Sequence, residues 1–107
     1  MSLSIVKGGD FVEITPDGET NYDSQTNPQA AFPVGMFLSS IEFVPSADGD
    51  ILKVREGSAT GPIICRIKGS DTDRKKYFNN ALARPFIKAA DLTLSTPDSA
   101  RVIIQYG

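Results

Sequence analysis

The stretch Met36 to Lys68, MFLSSIEFVPSADGDILKVREGSATGPIICRIK, restricts the fold more than any other part of the chain. Side chains alternate across an extended backbone, so a half-buried strand repeats its apolar residues at every second position. Phe37, Ser39, Ile41 and Phe43 fall on one face, with Leu38, Ser40, Glu42 and Val44 on the other. Leu52 and Val54 resume the apolar face, while Lys53 and Arg55 face water. Ile63, Cys65 and Ile67 line the next segment. Pro45 to Asp50 supplies a fixed φ, small polar residues and a glycine, and Glu56 to Pro62 supplies a second such turn. The pattern predicts a meander of three consecutive strands to which the rest of the chain adds.

Upstream, Ser2 to Val6 and Phe11 to Thr15 flank Lys7-Gly8-Gly9-Asp10, which predicts a hairpin. Thr15-Pro16-Asp17-Gly18 reads as a turn. Glu19 to Pro33 is polar and without period, with Tyr22 and Phe32 as its large apolar residues. A long irregular stretch in a compact domain is a surface crossover between sheets or a functional arm. Downstream, Arg74 to Pro85 fits a short helix ending before Pro85, or a strand pair turning at Asn79-Asn80; the all-β context favours the strand pair. Phe86 to Lys88, Leu92 to Ser95 and Arg101 to Tyr106 complete the strands, with Thr96 to Ser99 as a turn. The apolar alternation of Val102, Ile104 and Tyr106 places that last strand inside a sheet.

Short strands separated by turn signals at this spacing predict an all-β, single-domain antiparallel β-sandwich, jelly-roll-like, over residues 1–107, with a barrel as the second architecture. At 107 residues, the chain is one domain that buries somewhat under ~70% of the surface its unfolded form exposes. Neither a signal-peptide pattern nor an apolar run of the ~18 residues a membrane span needs is present, so the expected site of synthesis is a cytoplasm.

Composition bears on chemistry mainly through what it lacks. With no His and one Cys, the chain has no disulfide framework, no zinc set and no imidazole to activate a nucleophile. Cys65 is read as a small buried apolar residue. Asp48-Gly49-Asp50 and Asp71-Thr72-Asp73 space carboxylates as calcium loops do, yet neither has the remaining oxygen ligands. Gly57 to Gly61 lacks the Lys-Ser/Thr ending of a phosphate loop. The expectation is therefore no catalytic residue, no metal and no cofactor.

Charge is more informative. Residues 66–88 hold seven of the eleven basic groups (Arg66, Lys68, Arg74, Lys75, Lys76, Arg84, Lys88) against only Asp71 and Asp73, in a chain of formal net charge −2. If space preserves that separation, the molecule is polar, suited to an acidic surface or to head-to-tail contact between copies. Arg74-Lys75-Lys76-Tyr77-Phe78 interleaves cations and aromatics, but three adjacent cations in an acidic chain are too few for a nucleic-acid platform.

The succession Ser40-Ile41-Glu42-Phe43-Val44-Pro45, Gly49 to Gly57 (GDILKVREG), Gly61-Pro62-Ile63-Ile64 and Arg84-Pro85-Phe86-Ile87 resembles small virion proteins of tailed bacteriophages, among them capsid decoration (cement) proteins with a jelly-roll-like sandwich. The resemblance covers roughly residues 34–106 and rests on turn and core residues. It implies a non-enzymatic structural protein on the virion surface, made in the host bacterial cytoplasm, binding the phage major capsid protein and forming a homo-oligomer (trimer) there, with no nucleic acid and no membrane as partner. Arg74, Lys75 and Lys76 are then the expected docking patch, and Glu19 to Pro33, with Tyr22 and Phe32, the expected arm. Two alternatives share the fold: a carbohydrate- or receptor-binding module, disfavoured by the absence of Trp, and a small tail or head-fibre component.

Overall fold

The computed structural model describes residues 4–23, 36–96 and 99–106. Among them run ten strands: β1 (Ser4–Lys7), β2 (Phe11–Thr15), β3 (Tyr22–Asp23), β4 (Met36–Val44), β5 (Ile51–Glu56), β6 (Ile63–Lys68), β7 (Lys75–Ala83), β8 (Pro85–Ile87), β9 (Leu92–Thr93) and β10 (Arg101–Tyr106). A 3-10 turn over Ala89–Asp91 precedes β9. The strands form two antiparallel sheets, β1-β2-β10-β4-β7 and β3-β8-β5-β6, with β9 also pairing β5. β8 and β9 take opposite ends of β5, at Arg55 and Glu56 and at Ile51 and Leu52.

The fold is an all-β sandwich, as the alternation predicts. Its strand order includes the in-sheet hairpins β1–β2 and β5–β6. Val12, Ile14, Leu38, Ile41, Phe43, Val102 and Ile104 from one sheet meet Tyr22, Leu52, Val54, Cys65, Ile67 and Ile87 from the other. Each fully buried aliphatic or aromatic side chain contributes roughly 1.5–3 kcal/mol, which makes this interface the main source of stability.

The meander is corrected. β4 pairs β10 and β7 and not β5, so Pro45 to Asp50 carries the chain between sheets. Asp50, 1% exposed, fixes this corner. One carboxylate oxygen accepts from the Ser46 N–H (2.6 Å), the Ser46 hydroxyl and the Ala47 N–H (3.0 Å), and the other accepts from the Ser95 N–H (3.0 Å). Burial works against the charge, but the Ser46 hydroxyl and the Ser95, Ser46 and Ala47 amides outweigh it and hold the Asp50 pKa below the ordinary carboxylate value.

Three bulges correct the strand readings. Against β10, Ser40 pairs Gln105 but Leu38 pairs Tyr106, so β4 holds one residue more than its neighbour and its alternation changes phase. Leu38 is consequently buried and Phe37, expected on the core face, is 55% exposed. The Ser40 hydroxyl donates to Gln105 Oε1 (2.8 Å) at this site. Against β7, Ser40 pairs Tyr77 while Leu38 pairs Ala81; β7 therefore runs through Asn79-Asn80 as one strand, and the surplus residues make a bulge rather than the expected turn. In β6, Val54 pairs Cys65 and Arg55 pairs Ile63, which leaves Ile64 as the extra residue and turns Ile63 outward at 47% exposure. Arg55 is not simply solvated: its Nε donates to Asp91 (2.6 Å) and its Nη1 to the Gly61 carbonyl (3.0 Å).

Candidate docking surface

β7 ends the first sheet and β6 ends the second, and the short link Gly69 to Arg74 places both on one side of the sandwich. That link is tightly bonded. The Asp71 N–H donates to the Lys68 carbonyl (3.0 Å), Asp71 Oδ2 accepts from the Lys68 N–H (2.9 Å) and Asp73 Oδ1 accepts from the Lys75 N–H (3.1 Å). Gly69 is buried against the sheet-crossing corner, where a Cβ would stand 2.3 Å from the Ala47 carbonyl oxygen, so only glycine fits. Arg74 Nη1 donates to the Gly69 carbonyl (3.2 Å), and the Phe43 N–H donates to the Arg74 carbonyl (2.9 Å), tying the link to β4.

The expected patch Arg74, Lys75 and Lys76 stands at the start of β7, and Arg66 and Lys68 join it from β6. Arg66, Lys68, Arg74 and Lys76 are exposed; Lys75 is half-buried, with its Nζ 5.3 Å from the centroid of the Tyr77 ring. Tyr77 is 73% exposed. None of these five cations forms an ion pair among the described residues, whereas Arg55, Arg84 and Arg101 pair with Asp91, Asp23 and Glu13. Lys76 is opposite the buried Ile41 in register yet remains exposed, so its ammonium stands at the rim between the two edge strands. A lysine so placed obstructs pairing with an uncharged strand. Burial pushes the Cys65 thiol up to about 11, against the opposing pull of the Lys76 charge. Cys65 is thus a core residue, as its alternation with Ile67 indicates.

The other side of the sandwich is acidic. β1 and β3 end the two sheets there, and Asp10, Glu13, Asp17, Glu19 and Asp23 lie on β2, β3 and their turns. Asp17 closes the β2–β3 turn by accepting from the Glu19 N–H (2.9 Å), the Thr20 N–H (2.8 Å) and the Thr20 hydroxyl (2.7 Å), and the Glu19 amide foremost lowers its pKa to about 2. The charge separation along the sequence is kept in space only in part: Arg84 stands 4.0 Å from Asp23 and Lys88 follows Ile87, the partner of Tyr22, so both lie on the acidic side, where Arg101 also pairs with Glu13 (3.5 Å).

The arm residues are placed differently from expectation. Tyr22 is a core residue, 1% exposed, because β3 pairs with β8 and turns its ring between the sheets; it presents no surface to a partner. Its hydroxyl finds no hydrogen bond among the described residues, and burial foremost raises its pKa well above that of an ordinary phenol. Phe32 lies outside the described residues. Of the two carboxylate-spaced loops, Asp50 is saturated by protein donors, and Asp71 and Asp73 each accept a backbone amide of their own link. Among the described residues, no group of three or more His, Cys, Asp or Glu converges as a metal site, and no pocket opens. Arg66 and Lys68 were legible as basic residues, but only the adjacency of β6 and β7 assigns them to the same surface as Lys76.

Comparison with protein-family models, curated proteins and solved structures finds no match. The class this chain defines is that of an antiparallel β-sandwich with one cationic and one acidic side.

Proposed function

We propose that the chain is a non-enzymatic structural protein of a phage virion, which decorates and stabilises the assembled capsid by binding its outer surface. The observation that supports this reading is the cationic side built by β6 and β7, whose five cations have no ion-pair partner among the described residues. Such charges favour association with an acidic protein surface and make it sensitive to salt. A ligand that binds the assembled shell and not the competing state stabilises it by mass action, so no catalytic group is needed for the role. The resemblance of residues 34–106 to decoration proteins supplies the choice of the capsid as partner.

The test is co-elution with expanded, undecorated capsids of the source phage, together with the melting temperature of the shell. Binding with a raised shell melting temperature is the expected result. Exchanging Arg74, Lys75 and Lys76 for Glu should weaken binding by about tenfold or more, since each exposed pair contributes a few tenths to 1 kcal/mol. A folded chain that ignores shells at every salt concentration overturns the capsid assignment.

A further inference from the structure

We propose that the cationic β6/β7 side of one copy docks on the acidic β1/β3 side of a second copy, so that copies join head to tail. The inference goes beyond the reading above: it gives the same cations a second partner, with which a shell would compete, and its test contains no shell, so either can fail alone.

Both halves of the contact are present on this chain. Residues 63–83 carry Arg66, Lys68, Arg74, Lys75 and Lys76 against Asp71 and Asp73; residues 4–23 carry Asp10, Glu13, Asp17, Glu19 and Asp23 against Lys7, and because Glu13 and Asp23 pair with Arg101 and Arg84, the acidic surface offered to a neighbour is that of Asp10, Asp17 and Glu19. Sheet order sends the first group to one flank and the second to the opposite flank. Neighbouring strands lie about 4.8 Å apart, so the edges β1 and β7 stand about 19 Å apart and β3 and β6 about 14 Å, roughly two screening lengths of ~8 Å at physiological ionic strength. They do not neutralise one another within a molecule, and each presents its own sign to a neighbour. Asp10 and Glu19 are exposed and, like the five cations opposite, form no ion pair among the described residues.

Further features favour a charged partner over an uncharged strand. Lys76 occupies the rim of the open edge, where an apolar strand would bury its ammonium but a carboxylate would compensate it. Asp17 stays ionised far below neutral pH, so the acidic flank keeps its sign. Because the two surfaces differ, the contact is heterologous, and each added copy leaves both kinds of flank available at the ends of the series.

The experiment is the weight-average mass by light scattering and sedimentation, from micromolar to millimolar chain, at about 20 mM and about 0.5 M salt. The wild type should gain mass with concentration at low salt and return to the single-chain mass at high salt. Two variants follow: Arg66→Glu/Lys68→Glu/Lys76→Glu, acidic on both flanks, and Asp10→Lys/Glu19→Lys, with the acidic flank weakened and reversed at its exposed positions. Each alone should stay at the single-chain mass, and their equimolar mixture should recover association. Circular dichroism reports whether each variant folds. A wild type at single-chain mass throughout, association that survives high salt, or folded variants whose mixture does not associate would each overturn the proposal. If a variant does not fold, the salt response of the wild type decides.

Discussion

Asp50 is a buried carboxylate kept charged by four donors from two loops, and its removal should loosen the corner between the sheets. Asp50→Ala leaves the Ser46, Ala47 and Ser95 amides without their acceptor; with charge-assisted bonds at about 1.5–3 kcal/mol each, the expected loss is at least ~2 kcal/mol by urea unfolding. Since the folded pKa is lowered, the unfolded chain takes up the proton first as pH falls. The stabilisation is fully present above the unfolded value of about 3.9 and is lost as pH falls through it toward the folded one. Asp17 acts in the same direction and the same window, its folded pKa being about 2. Melts between pH 7 and pH 3 should therefore slope less steeply in Asp50→Asn than in the wild type, without becoming flat. Tyr22 offers the converse case. Its ring fills the core while its hydroxyl lacks a partner among the described residues, so Tyr22→Phe should change stability by under about 0.5 kcal/mol or raise it, and Tyr22→Ala should cost about 3–5 kcal/mol. A large loss in Tyr22→Phe would mean that the hydroxyl does have a partner.

At the scale of elements, the β5–β6 hairpin depends on a close approach at Gly61. A Cβ there would stand 1.8 Å from the Glu56 carbonyl oxygen, so Gly61→Ala must displace backbone and should cost about 1–3 kcal/mol. Gly49, in the neighbouring corner, has open space around it, and Gly49→Ala should be neutral or slightly stabilising when thermal melts of the two variants are compared with the wild type. The strands themselves were legible in the sequence wherever alternation is unbroken, as in Phe11–Thr15, Ile51–Glu56 and Arg101–Tyr106. Alternation gives a face but no partner, which is why β4 and β5 read as neighbours although they lie in different sheets. It also assumes a constant period. The extra residue in β4 exchanges Phe37 for Leu38 at the core, and the surplus around Asn79-Asn80 is absorbed within β7, because pairing along β4 on both sides of the bulge outweighs the local tendency of Asn to turn. The basic patch was visible as composition; that Arg66 and Lys68 share it with Lys76 depends on two sheet ends meeting, which no local pattern encodes.

For the whole molecule, the distribution of charge is the property with most bearing on association. The chain's net charge of −2 conceals two flanks of opposite sign, so the isoelectric point alone would mislead about behaviour near neutral pH, where lowering the salt should promote association instead of repulsion. The position of β10 bears on a different property. It lies between β2 and β4, so Val102 pairs Ile14 and Ile104 pairs Ile41, joining segments far apart along the chain. The hairpins β1–β2 and β5–β6 close locally, but the five-stranded sheet has no middle until β10 arrives. Loop-closure entropy must be overcome before those distant pairings reward it, which places refolding on the millisecond-to-second scale of high-contact-order β proteins. Stopped-flow refolding checks this, and a time constant of microseconds would contradict it. During that interval the facing edges of β2 and β4 stand open, and it is in this window that a crowded preparation is most exposed to mispairing between chains.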